Sequence, residues 1–365
     1  MNLNRKAQIF FCYNYIMISF AEYSGFSEYD NHAQIVEIND AGVGLHGYIA
    51  IHRRRGDAPS LGATRLWTYE NEASALKDAL RLSRLMSFKS ALAGLPYGGA
   101  KAVLISPPGG IRNRDAFFNS YAKKLNELQG VFVTGNDMGV DLLDIDILKK
   151  NTSFVIGQGI NSGYFTALGM FYCLEVMFEA IGKGELLKTW SFAIQGLGKT
   201  GSAFLELLVA AGVDAITVAD IDVKKEQIMK SLFPRIRMVA TEQIHRQQVH
   251  VLSPCALGGI INSNTINDLR CKAILGSANN QLASPDLYNI LHEKGIVYCP
   301  DYLVNAGGII SVVDQFEHTV HDEDRIRQQV KKIAITLETI LRQSLERNIS
   351  PQEIADELAL QAIGV

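Results

Sequence analysis

The segment that most constrains this chain is Gly196-Leu197-Gly198-Lys199-Thr200-Gly201, set between an apolar run at 189–195 and a helical run at 202–211. A G-x-G-x-x-G that leaves a strand and opens a helix is the fingerprint of a dinucleotide site. The first glycine allows the tight turn, the second lets the backbone approach a pyrophosphate, and the third permits close helix–strand packing. Unpaired N–H groups and the positive end of the helix dipole then face the phosphates. Asp220 closes the next apolar run about twenty residues on, where a carboxylate accepts from a ribose 2′-OH and repels a 2′-phosphate. NAD is therefore expected over NADP, a preference that Lys224 and Lys225 weaken slightly. The competing reading is a P-loop, because Gly198-Lys199-Thr200 copies the end of that motif. It would need glycine at position 193, which is Ala193, so a nucleotide triphosphatase is disfavoured.

The surrounding pattern suits this site. Beyond about residue 150, a long apolar helix at 165–181 precedes short apolar runs at 189–195, 215–219, 250–252 and 273–275, with helical or looped segments between them. That alternation predicts a doubly wound parallel sheet. The run after Asp314, as far as Glu346, reads as helix with charges on one face. The first part differs: strand-like runs at 46–52 and 61–68, a helix at 70–86, a glycine-rich loop at 94–99 and a short strand at 102–105. After a break at 107–110 come a helix at 114–128, a strand at 131–134 and a helix at 141–150.

A chain of 365 residues suits two domains. The expected fold is α/β, with an N-terminal α/β catalytic domain over 1–150 and a C-terminal Rossmann domain over 151–329. The active site is expected in the cleft between them, and helices at 330–365 are expected to return to the first domain.

With 47% apolar and 20% charged residues the chain is globular, and a net charge of −3 gives no reason to bind nucleic acid or an anionic membrane. Cys12, Cys173, Cys255, Cys271 and Cys299 are odd in number and scattered, which fits neither a disulfide framework nor a zinc site. A reduced, cytoplasmic protein is expected. The apolar stretch at 9–20 follows Arg5 and Lys6 like a signal peptide, but Tyr13 and Asn14 interrupt it and no small-x-small cleavage site follows. Residues 1–16 are read as an extension, with Met17 a candidate start. No other segment reads as apolar enough to span a membrane.

Lys89 and Lys101 lie twelve residues apart, on either side of Gly94-Leu95-Pro96-Tyr97-Gly98-Gly99. A single lysine is ordinarily surface decoration. Here the neighbours are small or apolar, and the glycines leave room for a ligand at the backbone. Burial and a second cation would both lower a lysine pKa towards the range a general base needs.

These blocks resemble the Glu/Leu/Phe/Val amino-acid dehydrogenases, and within that family most of all the leucine-active branch. In order they are Leu61-Gly62-Ala63-Thr64-Arg65, the lysine segment from Met86 to Lys101, Thr134-Gly135-Asn136-Asp137-Met138-Gly139, Pro254-Cys255-Ala256-Leu257-Gly258, Gly276-Ser277-Ala278-Asn279-Asn280-Gln281-Leu282 and Pro300-Asp301-Tyr302-Leu303-Val304-Asn305-Ala306-Gly307-Gly308. The resemblance implies that Lys89 holds the substrate carboxylate, Lys101 activates a water and Asp137 accepts from the amino group. NAD takes the hydride from Cα, and the imine is hydrolysed to a 2-oxo acid and ammonia. It also implies that Thr166, Cys255, Ala256, Asn280 and Asn305 stand near the nicotinamide and its ribose. The side-chain pocket by resemblance holds Leu61, Gly62, Ile309 and Val312; it is apolar and suits a branched aliphatic amino acid, leucine first, better than glutamate. One methylene in such a pocket discriminates by only about 1–3 kcal/mol.

Departures limit the transfer. Ala63 stands where leucine-active relatives have a second glycine, a pattern that tryptophan-active relatives share. The stretch 161–166 lacks the prolines usual before that threonine. A homo-oligomer, dimer or larger, is expected, although the chain ends at Val365, short of a tail that makes subunit contacts in relatives. A phenylalanine-, tryptophan- or valine-preferring enzyme and a non-catalytic NAD- or amino-acid-binding regulator are the alternatives. Asp137, Asp141, Asp144 and Asp146 fit no calcium loop, so no metal is expected and the last three are read as a solvated acidic helix start. Cys255 has no activating base beside it in sequence, and no histidine shows metal spacing.

Overall fold

The computed structural model describes residues 23–157 and 159–364. The extension expected over 1–16, the apolar run at 9–20, Cys12 and Met17 lie outside the described residues. Among the described residues two compact units emerge, 23–84 with Gly98–Val155, and Leu85–Tyr97 with the described residues from Ile156 on.

The first unit is built on a mixed sheet. Strands β1 (Gln34–Asp40), β2 (Leu45–Arg53) and β3 (Ser60–Trp67) precede the long helix α1 (Glu72–Leu92), whose first part belongs here. Then follow β4 (Gly98–Ile105), α2 (Arg114–Glu127), β5 (Phe132–Asn136) and α3 (Leu142–Asn151). The strand order is β1-β2-β4-β3-β5. The pairs β1–β2 and β2–β4 are antiparallel, whereas β3 runs parallel to both β4 and β5.

Because side chains alternate faces along a strand, β4 splits its residues between two layers. Ala102 and Leu104 join Ile49, Ile51, Phe117, Phe118, Tyr121 and Phe132 in the core under α2. Val103 joins Tyr48, Ala50, Ala75, Leu76 and Ala79 under α1. Lys101, in register with Ala50 and two residues before Val103, shares the α1 side.

The second unit begins with α4 (Ser162–Ile181) and continues with β6 (Ser191–Gln195), α5 (Lys199–Ala210), β7 (Ala215–Ala219), α6 (Val223–Leu232), β8 (Arg237–Met238), β9 (Val249–Pro254) and β10 (Cys271–Ile274). It ends with α7 (Leu287–Glu293), β11 (Val297–Tyr298), α8 (Asp301–Val304), α9 (Gly307–Glu317), α10 (Glu323–Arg347) and α11 (Pro351–Ile363). Six parallel strands stand in the order β11-β10-β9-β6-β7-β8. Numbered from β6, that is the 3-2-1-4-5-6 order of the dinucleotide-binding fold.

Three expectations are corrected. Residues 330–365 sort with the second unit, because the apolar stripe of α10 (Ile326, Val330, Ile333, Leu337, Ile340) is buried and packs mainly on α4. Within this same unit, Thr336 Oγ1 donates to the Leu92 carbonyl in 85–97 at 3.2 Å. Helix α4 is long and apolar enough by length and composition to cross a membrane, contrary to the sequence reading. Instead, α5, α9 and α10 pack against it. Finally, the helix expected from 314 onwards is two helices, with Asp322 capping the second through the Arg325 N–H.

Candidate functional site

The dinucleotide loop forms where expected. Gly196 has φ +93, a conformation that side chains disfavour, and its N–H donates to the Ala219 carbonyl at 2.7 Å. A Cβ on Gly201 would stand 1.9 Å from the Gly196 carbonyl oxygen, so the turn closes only on glycine. At Gly198, which caps α5, a Cβ would meet nothing within 4 Å, and no side chain caps the helix. Open space in front of uncapped N–H groups fits a pyrophosphate. Lys199 and Thr200 open α5 itself.

Asp220 follows β7. Its Oδ2 accepts the Leu197 N–H at 2.6 Å and its Oδ1 the Asp222 N–H at 2.8 Å, so the carboxylate that would face a ribose also fixes the glycine loop. Cys255 and Ala256 back the loop: the Cys255 N–H donates to Gln195 at 2.7 Å, and a Cβ on Gly196 would touch Ala256 Cβ. Burial pushes the Cys255 thiol above its ordinary range, against a nucleophilic role.

Asn305 is buried and donates from Nδ2 to the Ser277 carbonyl and to Asn279 Oδ1, at 3.1 and 2.9 Å. Its Oδ1 is buried without a partner, an acceptor suited to a carboxamide such as that of nicotinamide. Asn280 has φ +54, and its carbonyl accepts from Gly259 N–H. Thr166 Oγ1 donates to the Ser162 carbonyl at 2.8 Å, and a Cβ on Gly308 would stand 2.7 Å from that hydroxyl. The cofactor candidates thus fit a nicotinamide dinucleotide.

Lys89 sits in the last turn of α1, which runs on to Leu92 beyond the end at residue 86 expected from the sequence, and its Nζ donates to Asn279 Oδ1 at 3.3 Å. Asn279 therefore receives both Lys89 and Asn305, a link that sequence reasoning missed. Ile309 and Val312 are half-buried on α9. Leu61 and Gly62 belong to β3 of the first unit, where Leu61 has no exposed surface. A Cβ on Gly62 would stand 1.9 Å from the Ala100 carbonyl oxygen, so glycine there is required by strand packing.

The catalytic candidates of the first unit come together. Lys101 on β4 donates from Nζ to Asp137 Oδ2 at 2.5 Å. Asp137 immediately follows β5, with its own N–H on the Thr64 carbonyl at 3.1 Å. Lys101 is 5% exposed, and that burial lowers its pKa from the ordinary lysine range against the opposing pull of Asp137. Burial alone would raise the Asp137 carboxyl; the charges of Lys101 and Arg65 override it and hold it well below the usual range. The second cation beside Lys101 is Arg65, quoted within a sequence block but given no role there. Its Nε donates to the same Asp137 Oδ2 at 3.1 Å.

The other aspartates are structural. Asp141 caps α3 in a reciprocal box with Asp144. Asp144 is fully buried rather than solvated, because both its oxygens accept from Arg114, at 2.5 and 2.6 Å. Among the described residues no group of histidines, cysteines and acids could hold a metal, and Cys173, Cys255, Cys271 and Cys299 are free.

Two family profiles match the chain. One, described as the Glu/Leu/Phe/Val dehydrogenase dimerisation domain, covers residues 32–154, and the other, described as Glutamate/Leucine/Phenylalanine/Valine dehydrogenase, covers 221–363. The chain is 37% identical to a phenylalanine dehydrogenase of Lysinibacillus sphaericus over 351 residues, 93% of this chain and 90% of that protein. It is 38% identical to an L-tryptophan dehydrogenase of Nostoc punctiforme over 332 residues (90% and 92% of the two chains). With the leucine dehydrogenase of Bacillus subtilis it shares 35% over 343 residues, 92% of each. The crystal structure of L-tryptophan dehydrogenase from Nostoc punctiforme superposes with a TM-score of 0.78 at 35% identity, covering 91% of this chain and 96% of that one.

Fold and relatives together define a class: nicotinamide-nucleotide-dependent oxidoreductases acting on the CH–NH2 group of amino acids. Within it, the chain belongs to the Glu/Leu/Phe/Val dehydrogenase family. Phenylalanine, tryptophan and leucine enzymes are nearly equally similar to it, so overall similarity does not single out leucine.

Proposed function

We propose that the protein catalyses the reversible, NAD-dependent oxidative deamination of an apolar L-amino acid, leucine first, to its 2-oxo acid and ammonia. The observation that carries this reading is the buried Lys101–Asp137 contact at 2.5 Å, in a member of an amino-acid dehydrogenase family. NAD is chosen over NADP because the Asp220 carboxylate stands at the end of β7, directly behind the glycine loop. Comparing KM for the two nucleotides tests that choice.

In this reading Lys89 binds the substrate carboxylate as a point charge, and Asp137 accepts from its amino group. A bound nicotinamide nucleotide supplies the acceptor for the hydride leaving Cα. Lys101, neutral when it acts, takes the proton of the water that adds to the imine carbon. Asp137 keeps that amine oriented and assists proton movement as ammonia leaves. Each positioned proton transfer is worth about 10²–10⁴ in rate. Thr166, Cys255, Ala256, Asn280 and Asn305 would surround the nicotinamide end of the cofactor, and Gly196, Leu197, Gly198, Lys199, Thr200 and Gly201 its pyrophosphate.

Apolar Leu61, Ile309 and Val312 support a branched aliphatic side chain, since none would pair with the second carboxylate of glutamate. A second reading, an aromatic amino acid, is favoured by Ala63 and by the 37–38% identity to phenylalanine and tryptophan enzymes. A homo-oligomer acting in the cytoplasm completes the proposal, supported by the dimerisation-domain profile and the free cysteines. The test is NADH formation with a panel of L-amino acids. Turnover of leucine ahead of phenylalanine, tryptophan and valine is expected, and no turnover with any amino acid would overturn the reading.

A further inference from the structure

Arg65 lies on β3, in register with Val103 of β4, and its side chain is 13% exposed. Its guanidinium is held at two points. Nε donates to Asp137 Oδ2 at 3.1 Å, and Nη1 donates to Asp78 Oδ2 at 2.9 Å. Asp78, on α1, is itself fastened by the Tyr69 hydroxyl at 2.7 Å and by Arg81 Nη2, also at 2.7 Å. A strand, a helix and the turn after β5 thus converge on one largely buried cation that touches the catalytic aspartate.

The position matters because Lys101 Nζ donates to the same Asp137 oxygen. Two cations share one carboxylate oxygen, so neither is fully neutralised by it. A guanidinium stays protonated throughout the working range, and its rigid fork can bridge two carboxylates, whereas an ammonium is a single point. An arginine here therefore supplies a fixed positive charge beside an amine that must be able to give up its own.

We propose that Arg65 is a positioning residue of the reaction: clamped by Asp78, it fixes the Asp137 carboxylate against Lys101 and keeps a permanent positive charge next to that amine. The groups facing Lys101 are Asp137 after β5, Arg65 on β3 and Asp78 on α1. Of these, Arg65 acts with burial to lower the lysine pKa, and the two carboxylates oppose it. Removing the Arg65 charge leaves the carboxylates less opposed, so Lys101 holds its proton to higher pH. The role of Lys101 as base rests on the proposed function; the electrostatic effect on its amine does not.

The test compares the parent with Arg65→Gln and Arg65→Lys. Lysine-ε-13C NMR follows protonation of Lys101 without turnover, its resonance assigned by loss in Lys101→Arg. The midpoint is expected at higher pH in Arg65→Gln than in the parent, with Arg65→Lys between them. In parallel, the acid limb of the pH profile of kcat/KM moves the same way: Arg65→Gln loses about tenfold or more on that limb and recovers towards the parent on the alkaline side.

A Lys101 midpoint unchanged in folded Arg65→Gln overturns the proposal, as does a uniform loss of rate with no displacement of the profile. Should Arg65→Gln not fold, a second neutral variant, Arg65→Met, carries the test, and a curve superimposed on the parent's overturns it. If no amino acid is turned over by the parent while the NMR midpoint still moves, the proposed function fails and the effect of Arg65 on the amine stands.

Discussion

Lys101 Nζ and Asp137 Oδ2 lie 2.5 Å apart, one residue on the fourth strand of the first sheet and the other at the exit of the fifth. The pair is assembled by parallel pairing through β3, since Thr64 is in register with Ala102 on one side and Asn136 on the other. A charged pair in this setting is poor as a stability device, because desolvation offsets its attraction. It suits proton chemistry, because burial lowers the lysine while its neighbours hold the aspartate ionised.

Asp137→Asn keeps the shape and removes the negative charge. Burial and Arg65 then act on Lys101 with less opposition, so the acid limb of the kcat/KM profile moves to lower pH, opposite to the effect of Arg65→Gln. The plateau falls by about 10² or more, because an amide does not take up the proton of the substrate amino group. Initial rates of NADH formation across pH check both signs together.

Two glycines of one loop predict opposite outcomes. Gly201→Ala forces a methyl onto the Gly196 carbonyl, and overpacking of this kind costs about 1–3 kcal/mol or more. Gly198→Ala meets no protein atom, at φ −72 where alanine is comfortable, so its thermal midpoint stays close to the parent's. Its methyl instead occupies the space in front of the α5 N–H groups. Calorimetric titration with NAD is expected to give weaker binding for both variants, with a lowered Tm only for Gly201→Ala.

Much of this loop was legible in sequence because its constraints are local: a turn that demands glycine, a strand before it and a helix after it. For Lys101 the sequence offers its small, glycine-rich surroundings, and its proximity to Asp137 is implied only by the family motifs. The contact of Arg65 with Asp137 is hidden, since it depends on β3 lying between β4 and β5. Strand β1 carries little signal in the sequence because it is an edge strand with Glu37, Asn39 and Asp40 among its seven residues, only Val36 and Ile38 being buried. The burial of Asp144 is hidden from the sequence for a related reason. Its partner Arg114 is thirty residues away, and only the packing of α2 on α3 brings the two together.

Acid stability tests a different part of the first unit. His32 and His52 are buried, 1% and 0% exposed, with ring centroids 4.9 Å apart. Burial, with the Arg53 charge beside it, lowers His52 to about 3, and burial lowers His32 to about 4 despite its bond to the Leu80 carbonyl. Both are neutral in the fold, whereas the unfolded chain binds their protons below about 6.5. Stability is therefore expected to fall as pH drops from about 6.5 towards 4, by roughly 3 kcal/mol per histidine at the limit. Thermal unfolding from pH 8 to 4 checks this, with a shallower acid slope expected for His52→Gln; an identical slope would contradict it.

The most direct measurement of the central claim is turnover by Lys101→Ala, assayed as NADH formation from the best amino acid under saturating NAD. A drop of about 10² or more is expected, with NAD affinity unchanged by fluorescence titration. Deamination by that variant at the parent's rate would contradict the assignment of Lys101 as the base.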